Sequence, residues 1–395
     1  MNQRNEIIYK ILILQLLVIL FKINIIKKYS IKNSFKHHSF PYMKKHLKIL
    51  PFYNLSISEI KNKTILLFEP NEYHHECLPG YAKYFIDLGF NVDILMKYNK
   101  INSFYLFKEI ENTRIVTFKN LKDIYLNSNN LSFIIKKYQY ILVQTYFSIH
   151  KNIFTKLNIL NMNNSYFVSH DTKYEKINYL YLSKQNRIWT LGNLSRGLYV
   201  NPHYIGHIKI PKKNEKTRFY FTSTPKREYQ YLLKAITQLK EENFNFDIVV
   251  TGRSAKIFNS KNISKNINDI FIFKNEVSYY ELFKLVESSD YIIIPLNPKR
   301  KNDNEYKYRR VSGSIQLVYG FLKPAIINKD FSSFYYLNDK NSLIYNNTDF
   351  YYIMKKAILL SNTKYNNLRH NLFVIERNIY NISINNIKKA FNIFQ

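Results

Sequence analysis

Short apolar runs separated by polar, helix-like segments recur along most of this 395-residue chain. The first clear run is Thr64-Ile-Leu-Leu-Phe-Glu, whose near-continuous apolar character predicts a strand buried on both faces. Gly80 opens a helical stretch over Tyr81–Leu88 that stops at Gly89, a usual residue just past a helix end. Phe90–Met96 alternates apolar and polar and predicts the next strand. Strand, helix, glycine turn and strand make a βαβ unit, and therefore a parallel sheet. Further strands are expected at Arg114–Phe118, Tyr140–Gln144 and Tyr166–Ser169, with 121–137 helical in part.

A turn at Tyr199–Gly206 and a polar link at 211–216 precede a second series. Strands are expected at Phe219–Phe221, Phe246–Val250, Asp269–Phe273, Tyr291–Pro295 and Ala325–Asn328. Tyr229–Leu239 and Leu282–Val286 carry helical spacing between them. Ser278 with Glu281 three residues on is a capping-box pattern. The last segment, Tyr365–Gln395, repeats apolar residues at helical spacing and is read as core packing. The pattern predicts an α/β protein of two Rossmann-like parallel-sheet domains, 62–210 and 217–364, followed by a helical segment 365–395.

Residues 1–28 form a hydrophobic segment with its cleanest apolar run between Ile11 and Phe21. A spanning helix needs about 20 apolar residues, and Lys10, Gln15, Lys22 and Asn24 interrupt this one. It reads as a signal-anchor, an interfacial helix or a buried amphipathic helix, with membrane association favoured. Seven lysines from Lys27 to Lys48 follow it, whereas only Arg4 precedes its apolar part. That asymmetry puts the body of the chain on the cytoplasmic face of a membrane, peripheral or held by a single N-terminal anchor, and offers cations to an anionic membrane surface.

Charge widens the picture. The formal net charge is +31, from 59 Lys+Arg against 28 Asp+Glu. Nucleic acid is the obvious partner for such a chain, but the lysines are scattered and no zinc-finger spacing, RNP-like motif or basic-region heptad occurs. Compositional bias with a general attraction to anionic surfaces is the preferred reading, with no nucleic acid as partner. The single cysteine, Cys77, excludes an internal disulfide and a multi-cysteine metal site, and a partly buried thiol is its expected state. Only eight glycines occur, so each is expected to mark a positive φ or a close approach.

The chemistry gathers at the carboxyl ends of the expected strands. Lys226 and Arg227 follow the first strand of the second series, Gly252 and Arg253 the second, and Glu276 with Val277 the third. Arg309-Arg310 then lead into Ser312-Gly313-Ser314, a helix of about two turns closed by Gly320, and the strand after Pro324. Small residues at a helix start leave backbone N–H groups aimed at one point, where the dipole favours an anion. Strand ends of an open parallel sheet converge on one crevice, so these cations suit a diphosphate. In the first series, the strand at Tyr166 runs out into His170-Asp171. His170 reads either as a general base or ligand to a substrate hydroxyl, or as half of a loop or capping His-Asp pair.

The order of parts resembles a GT-B glycosyltransferase of the nucleotide-sugar-dependent, family 4-like group. The match in architecture runs from about residue 62 to the end. Its specific pieces are Phe-Thr-Ser-Thr-Pro-Lys-Arg (221–227), Val-Val-Thr-Gly-Arg (249–253), Val-Ser-Tyr-Tyr-Glu-Leu-Phe-Lys-Leu-Val-Glu-Ser-Ser-Asp (277–290) and Ser-Gly-Ser-Ile-Gln-Leu-Val-Tyr-Gly-Phe-Leu-Lys-Pro (312–324). The resemblance implies two domains facing a central cleft, with the donor in the second and the acceptor in the first. It implies transfer of a hexose-like sugar, without a metal and with no cofactor beyond the nucleotide-sugar; the basic amino-terminus, read as membrane-associated, is what points to cell-surface polysaccharide synthesis and a glycan or lipid-linked acceptor. Arg227 and Arg253 would then neutralise the diphosphate, Val277 and its neighbours contact the base, and Ser312–Ser314 supply amides. His170 and the loop 71–80 would face the sugar. The family pattern also has a glutamate pair at the glycine helix; this chain lacks the pair and offers Ser, Gly and Gln316 there, which leaves Asp303, Glu305 or Gln316 as alternatives for a sugar contact. A sugar-nucleotide epimerase of the same fold and a non-catalytic polyanion- or membrane-binding protein are the alternatives.

Overall fold

The computed structural model describes residues 48–71, 73–98, 103–146, 150–171, 177–193, 197–203, 213–221, 230–252, 255, 263, 265–346 and 349–393. The expected hydrophobic helix within 1–28, and any anchor it would form, lie outside them.

Eight strands form the first sheet: β1 (Lys48–Pro51), β2 (Thr64–Glu69), β3 (Asn91–Lys97), β4 (Thr113–Phe118), β5 (Tyr140–Val143), β6 (Ser165–Ser169), β7 (Ile188–Thr190) and β8 (Leu198–Tyr199). Their order is β1-β4-β3-β2-β5-β6-β7-β8, and every pairing is parallel. All six residues of β2 are buried, as its apolar run predicts. β3 departs from its alternation, because Asp93 is buried too. Arg114 binds both its oxygens, Nε at 2.9 Å, and the Tyr138 hydroxyl donates at 2.7 Å. A carboxylate so paired can be buried without a large penalty.

The second sheet holds β9 (Thr217–Phe221), β10 (Phe246–Thr251), β11 (Phe271–Lys274), β12 (Tyr291–Ile294), β13 (Ala325–Asn328) and β14 (Leu343–Tyr345), in the order β11-β10-β9-β12-β13-β14. These pairings are parallel as well. Leaving the edge strand β1 aside, each order reverses direction once, between β2 and β5 and between β9 and β12. Crevices for ligands open at such switch points, outside the strands' carboxyl ends.

The last helix, Asn362–Ala390, joins the two halves. At its start the Tyr365 hydroxyl donates to the Asp290 carbonyl at 2.8 Å, inside the second core. At its end Phe391 stacks on Tyr140 at 3.8 Å, and the Tyr166 hydroxyl donates to the Ala390 carbonyl at 2.7 Å. Between them Glu376 meets His203 at 2.8 Å, and Ser383 accepts from the Asn201 amide. Its core packing serves both sheets. Among the described residues, no helix is long and apolar enough to cross a membrane.

Two glycine expectations change. Gly80 lies inside the helix Leu78–Asp87, which begins with Pro79 in its first turn. A Cβ there would stand 2.4 Å from the backbone C and O of Pro202, so this glycine permits a close backbone approach. Gly320 does not close its helix. Ser314–Phe321 ends instead at Leu322, a left-handed residue (φ 48°) whose carbonyl accepts from Arg369 Nε at 3.2 Å. Pro324 prevents continuation just beyond.

Candidate functional site

The carboxyl ends of β2, β5 and β6 bring one ionisable cluster together. Glu69 ends β2 and is fully buried. Its Oε1 accepts from the Asn71 amide at 2.7 Å, and its Oε2 from Thr145 Oγ1 at 2.6 Å. Burial outweighs these bonds and pushes its pKa up to about 8, so the carboxyl carries a proton at neutral pH.

His74 begins the turn after β2 in a left-handed conformation, φ 68° and ψ 14°. Such a backbone costs energy in a residue other than glycine. Gln144, just past β5, holds it by donating its Nε2 hydrogen to the His74 carbonyl at 3.1 Å. The His74 ring stacks on His170, which follows β6, with centroids 4.0 Å apart. Burial pulls the His74 pKa down, but the facing Glu76, 3.5 Å from Nδ1, and the more remote Glu69 reverse that and leave it raised. Glu76 is itself held at about 2: burial opposes its charge, and His74 and the Tyr279 hydroxyl overcome that. Tyr279, whose own pKa is raised by burial and by the Glu76 charge, donates to Glu76 Oε2 at 3.0 Å.

Two functional roles are read for His170 in the sequence, general base or ligand to a substrate hydroxyl, and its surroundings bear on the choice. Burial, and then the His74 charge, lower its pKa to about 3. Its Nε2 lies 3.0 Å from the Gln144 carbonyl. A carbonyl only accepts, so Nε2 carries the proton and Nδ1 the lone pair. A ring so weakly basic orients a hydroxyl better than it removes a proton. Cys77 is buried and its thiol pKa is pushed up, by burial and by the charges of Glu76 and Glu69. Its burial goes further than the partly buried state expected.

The second half meets this cluster at two points. One is Tyr279, the first residue of a helix (Tyr279–Glu287) that begins with the complete Ser278–Glu281 capping box. Glu276 and Val277 directly precede that cap, Glu276 exposed and Val277 half-buried. The other is an antiparallel bridge between Asp171 and Arg310. Arg309 binds both Asp171 oxygens, Nη2 to Oδ2 at 2.8 Å, and Arg310 Nε adds a bond of 2.7 Å. Both arginines also pair with Glu305. Asp171 is therefore an anchor between the halves. The arginine pair is already neutralised by carboxylates, which corrects its expected assignment to a diphosphate.

Ser312-Gly313-Ser314 follows that anchor by one residue. Ser312 and Ser314 are buried, with their hydroxyls 3.2 Å apart. Gly313 is exposed, has ordinary helical φ and ψ (−56°, −22°), and has open space where a Cβ would stand. Its value is room at the helix start, not an unusual backbone. The amides of Ile315 and Gln316 already bond the Ser312 and Gly313 carbonyls, at 3.0 and 3.2 Å. Gly252 does adopt a positive φ, 66°, at the end of β10. Lys226, Arg227 and Arg253 lie outside the described residues.

Of the three residues considered in place of the glutamate pair, Glu305 is committed to the arginines and Asp303 Oδ2 accepts the Asn297 amide at 3.0 Å. Gln316 is only 4% exposed, and neither polar atom of its amide has a hydrogen-bond partner. A buried amide of that kind is costly unless something supplies its bonds.

Sequence reasoning passed over Glu69 because it closes an apolar strand; a lone carboxylate in that position was the available signal. Asp171 was visible beside His170, but its arginine partner is 138 residues away.

No family model matches the chain, and no curated protein matches it. Among solved structures, the chain is similar to a glycosyltransferase from Rickettsia africae ESF-5. Identity is 13% and the TM-score 0.52, over 84% of this chain and 98% of that one. It is also similar to an alpha-glucosyltransferase in complex with UDP and a 13-mer DNA containing a HMU base. There identity is 10% and the TM-score 0.54, over 83% of this chain and 99% of the other. At such identities the likeness is one of fold. The chain has a divergent GT-B fold, with two parallel-sheet α/β halves.

Proposed function

We propose that this chain is a glycosyltransferase that moves a sugar from a nucleotide-sugar donor to a glycan or lipid-linked acceptor in cell-surface polysaccharide synthesis. One observation carries the reading: the Asp171–Arg310 bridge holds His170 beside the loop that enters the Ser312–Ser314 helix start. An ionisable cluster and an anion-suited helix end are thereby joined through two neighbouring loops. The donor diphosphate lies toward Ser312–Ser314 and Gly252, with Glu276–Val277 toward the base; Lys226, Arg227 and Arg253 are proposed as its cationic ligands on their place in the sequence alone. The Gln316 amide hydrogen-bonds the sugar. His74, oriented by Glu76, accepts the proton of the acceptor hydroxyl while His170 fixes that hydroxyl in place. The acceptor oxygen bonds the anomeric carbon as the bond to the diphosphate breaks, and the departing charge is met by fixed donors.

The test is a thermal-shift screen of the full chain with UDP, GDP and CMP, followed by a donor screen for sugar transfer or hydrolysis. At least one nucleotide at millimolar concentration should raise the melting temperature, and Gln316→Leu should weaken the effect of the matching nucleotide-sugar. Stabilisation by an RNA oligomer and by none of the nucleotides would overturn the reading.

The protonated Glu69 near His74 favours a second reading, epimerisation of a nucleotide-sugar, which needs an acid and a base on a carbon-bound hydrogen. Incubating the accepted donor in deuterium oxide separates the two. Deuterium on a sugar carbon marks epimerisation; unlabelled sugar in the transfer or hydrolysis product marks transfer.

A further inference from the structure

The helices Leu121–Leu126 and Ser128–Ile135 cover the outer flank of the first sheet, beside Lys151–Lys156. Ile124, Leu131 and Ile135 point into the core. The opposite side of the same helices leaves Leu126 70%, Phe133 60% and Tyr125 41% exposed. Solvated helix faces are normally polar, so a leucine and two aromatics exposed on two adjoining helices need a reason.

Their surroundings supply it. Lys122, Lys136, Lys137, Lys151 and Lys156 are all exposed on these three helices or at their ends. Lys156 Nζ stands 4.0 Å over the Tyr125 ring, and Lys137 Nζ 5.7 Å over Phe133. From residue 112 to 170 the sequence has one acid, Asp123, and it is committed to a capping box with Asn120. Glu59, on the neighbouring turn, is committed to Arg114 at 3.0 Å. Behind Phe133 lies a groove of about 500 Å³ whose apolar walls include Phe52, Leu55, Leu131 and Ile134.

We infer that this face docks on an anionic lipid bilayer. Leu126 and Phe133 enter the boundary between headgroups and acyl chains, and the lysines meet the lipid phosphates. Charge complementarity selects an anionic surface, and the aliphatic tip selects lipid. A nucleic acid would use the lysines and could stack bases on the aromatics, but it gains nothing from an exposed leucine. Insertion of apolar side chains ringed by lysine is how a surface helix holds to a bilayer. The inference stands apart from the transfer reading, since it concerns the flank of the first sheet and not the cleft.

Two tryptophan reporters in the full chain test it. The native Trp189 is fully buried and contributes a constant background. Phe133→Trp should shift its emission to the blue with vesicles of phosphatidylcholine and phosphatidylglycerol, and brominated acyl chains should quench it. Tyr352→Trp, at a 67% exposed site in the second half, should do neither. The pair Leu126→Ser with Phe133→Ser should lower vesicle partitioning at least about tenfold while leaving urea denaturation unchanged. The inference is overturned by any of three results. The protein fails to bind such vesicles; it binds them with no change in the emission of the Phe133→Trp variant; or DNA or RNA oligomers reproduce the shift.

Discussion

Arg309 binds Asp171 through two parallel hydrogen bonds, Nε to Oδ1 and Nη2 to Oδ2, and both side chains are nearly inaccessible to solvent. This pair ties the end of β6 in the first half to the approach of the Ser314–Phe321 helix in the second. Removing one member of a buried ion pair leaves the other charge without its partner, whereas an exposed pair contributes little. Arg309→Ala should cost about 3 kcal/mol of unfolding free energy in urea. Arg309→Lys should recover only part of it, because an ammonium cannot make the two-pronged contact. A double-mutant cycle with Asp171→Asn should return a coupling above about 1 kcal/mol; additive losses would show that the pair does not join the halves.

Glu69 gives a pH signature. Its pKa rises from an ordinary 4.5 to about 8 on folding, chiefly through burial. Below pH 4.5 both states hold the proton. Between there and about pH 8 the unfolded chain has released it while the folded one keeps it, so this contribution is lost as pH rises. Glu69→Gln removes that dependence. Its stability relative to the parent should therefore improve from about pH 5 to about pH 8, by on the order of 2–4 kcal/mol. A constant difference across that range would mean that Glu69 is ionised in the folded protein.

Gly80→Ala tests the close approach of the first helix to Pro202. Alanine normally favours a helix interior, but here its Cβ would meet two backbone atoms at 2.4 Å. A loss on the order of 2–3 kcal/mol in denaturant unfolding is expected, with the sign opposite to helix propensity. A gain in stability would place the 201–203 segment elsewhere.

The two histidines should separate in kinetics. On the proposed transfer reaction, His74→Gln should lower kcat by about 100-fold or more and remove the acid limb of the pH–rate profile. His170→Gln keeps a donor for the Gln144 carbonyl and should leave the shape of that profile intact. If the limb vanishes in the His170 variant instead, the proton acceptor is His170.

Much of this protein is a local matter, legible in the chain. The apolar run of β2, the glycine turn at Gly89, the Ser278–Glu281 cap and the parallel alternation each arise from near neighbours. Backbone sterics, capping and burial periodicity act over a few residues. β7, β8 and β14 were not legible, because strands of two or three residues become strands only when a neighbouring edge completes their hydrogen bonds.

The candidate site divides the same way. That residues 71–80, His170 and 312–314 stand at strand ends follows from the order of elements, since a parallel sheet sends its carboxyl ends to one side. What each residue does there was decided only by the tertiary structure. Burial protonates Glu69 and, with the stacked His74, keeps His170 neutral, and Asp171 turns Arg309 and Arg310 from free cations into an anchor. Charge state depends on desolvation and on partners far away along the chain, and neither is a property of neighbouring residues.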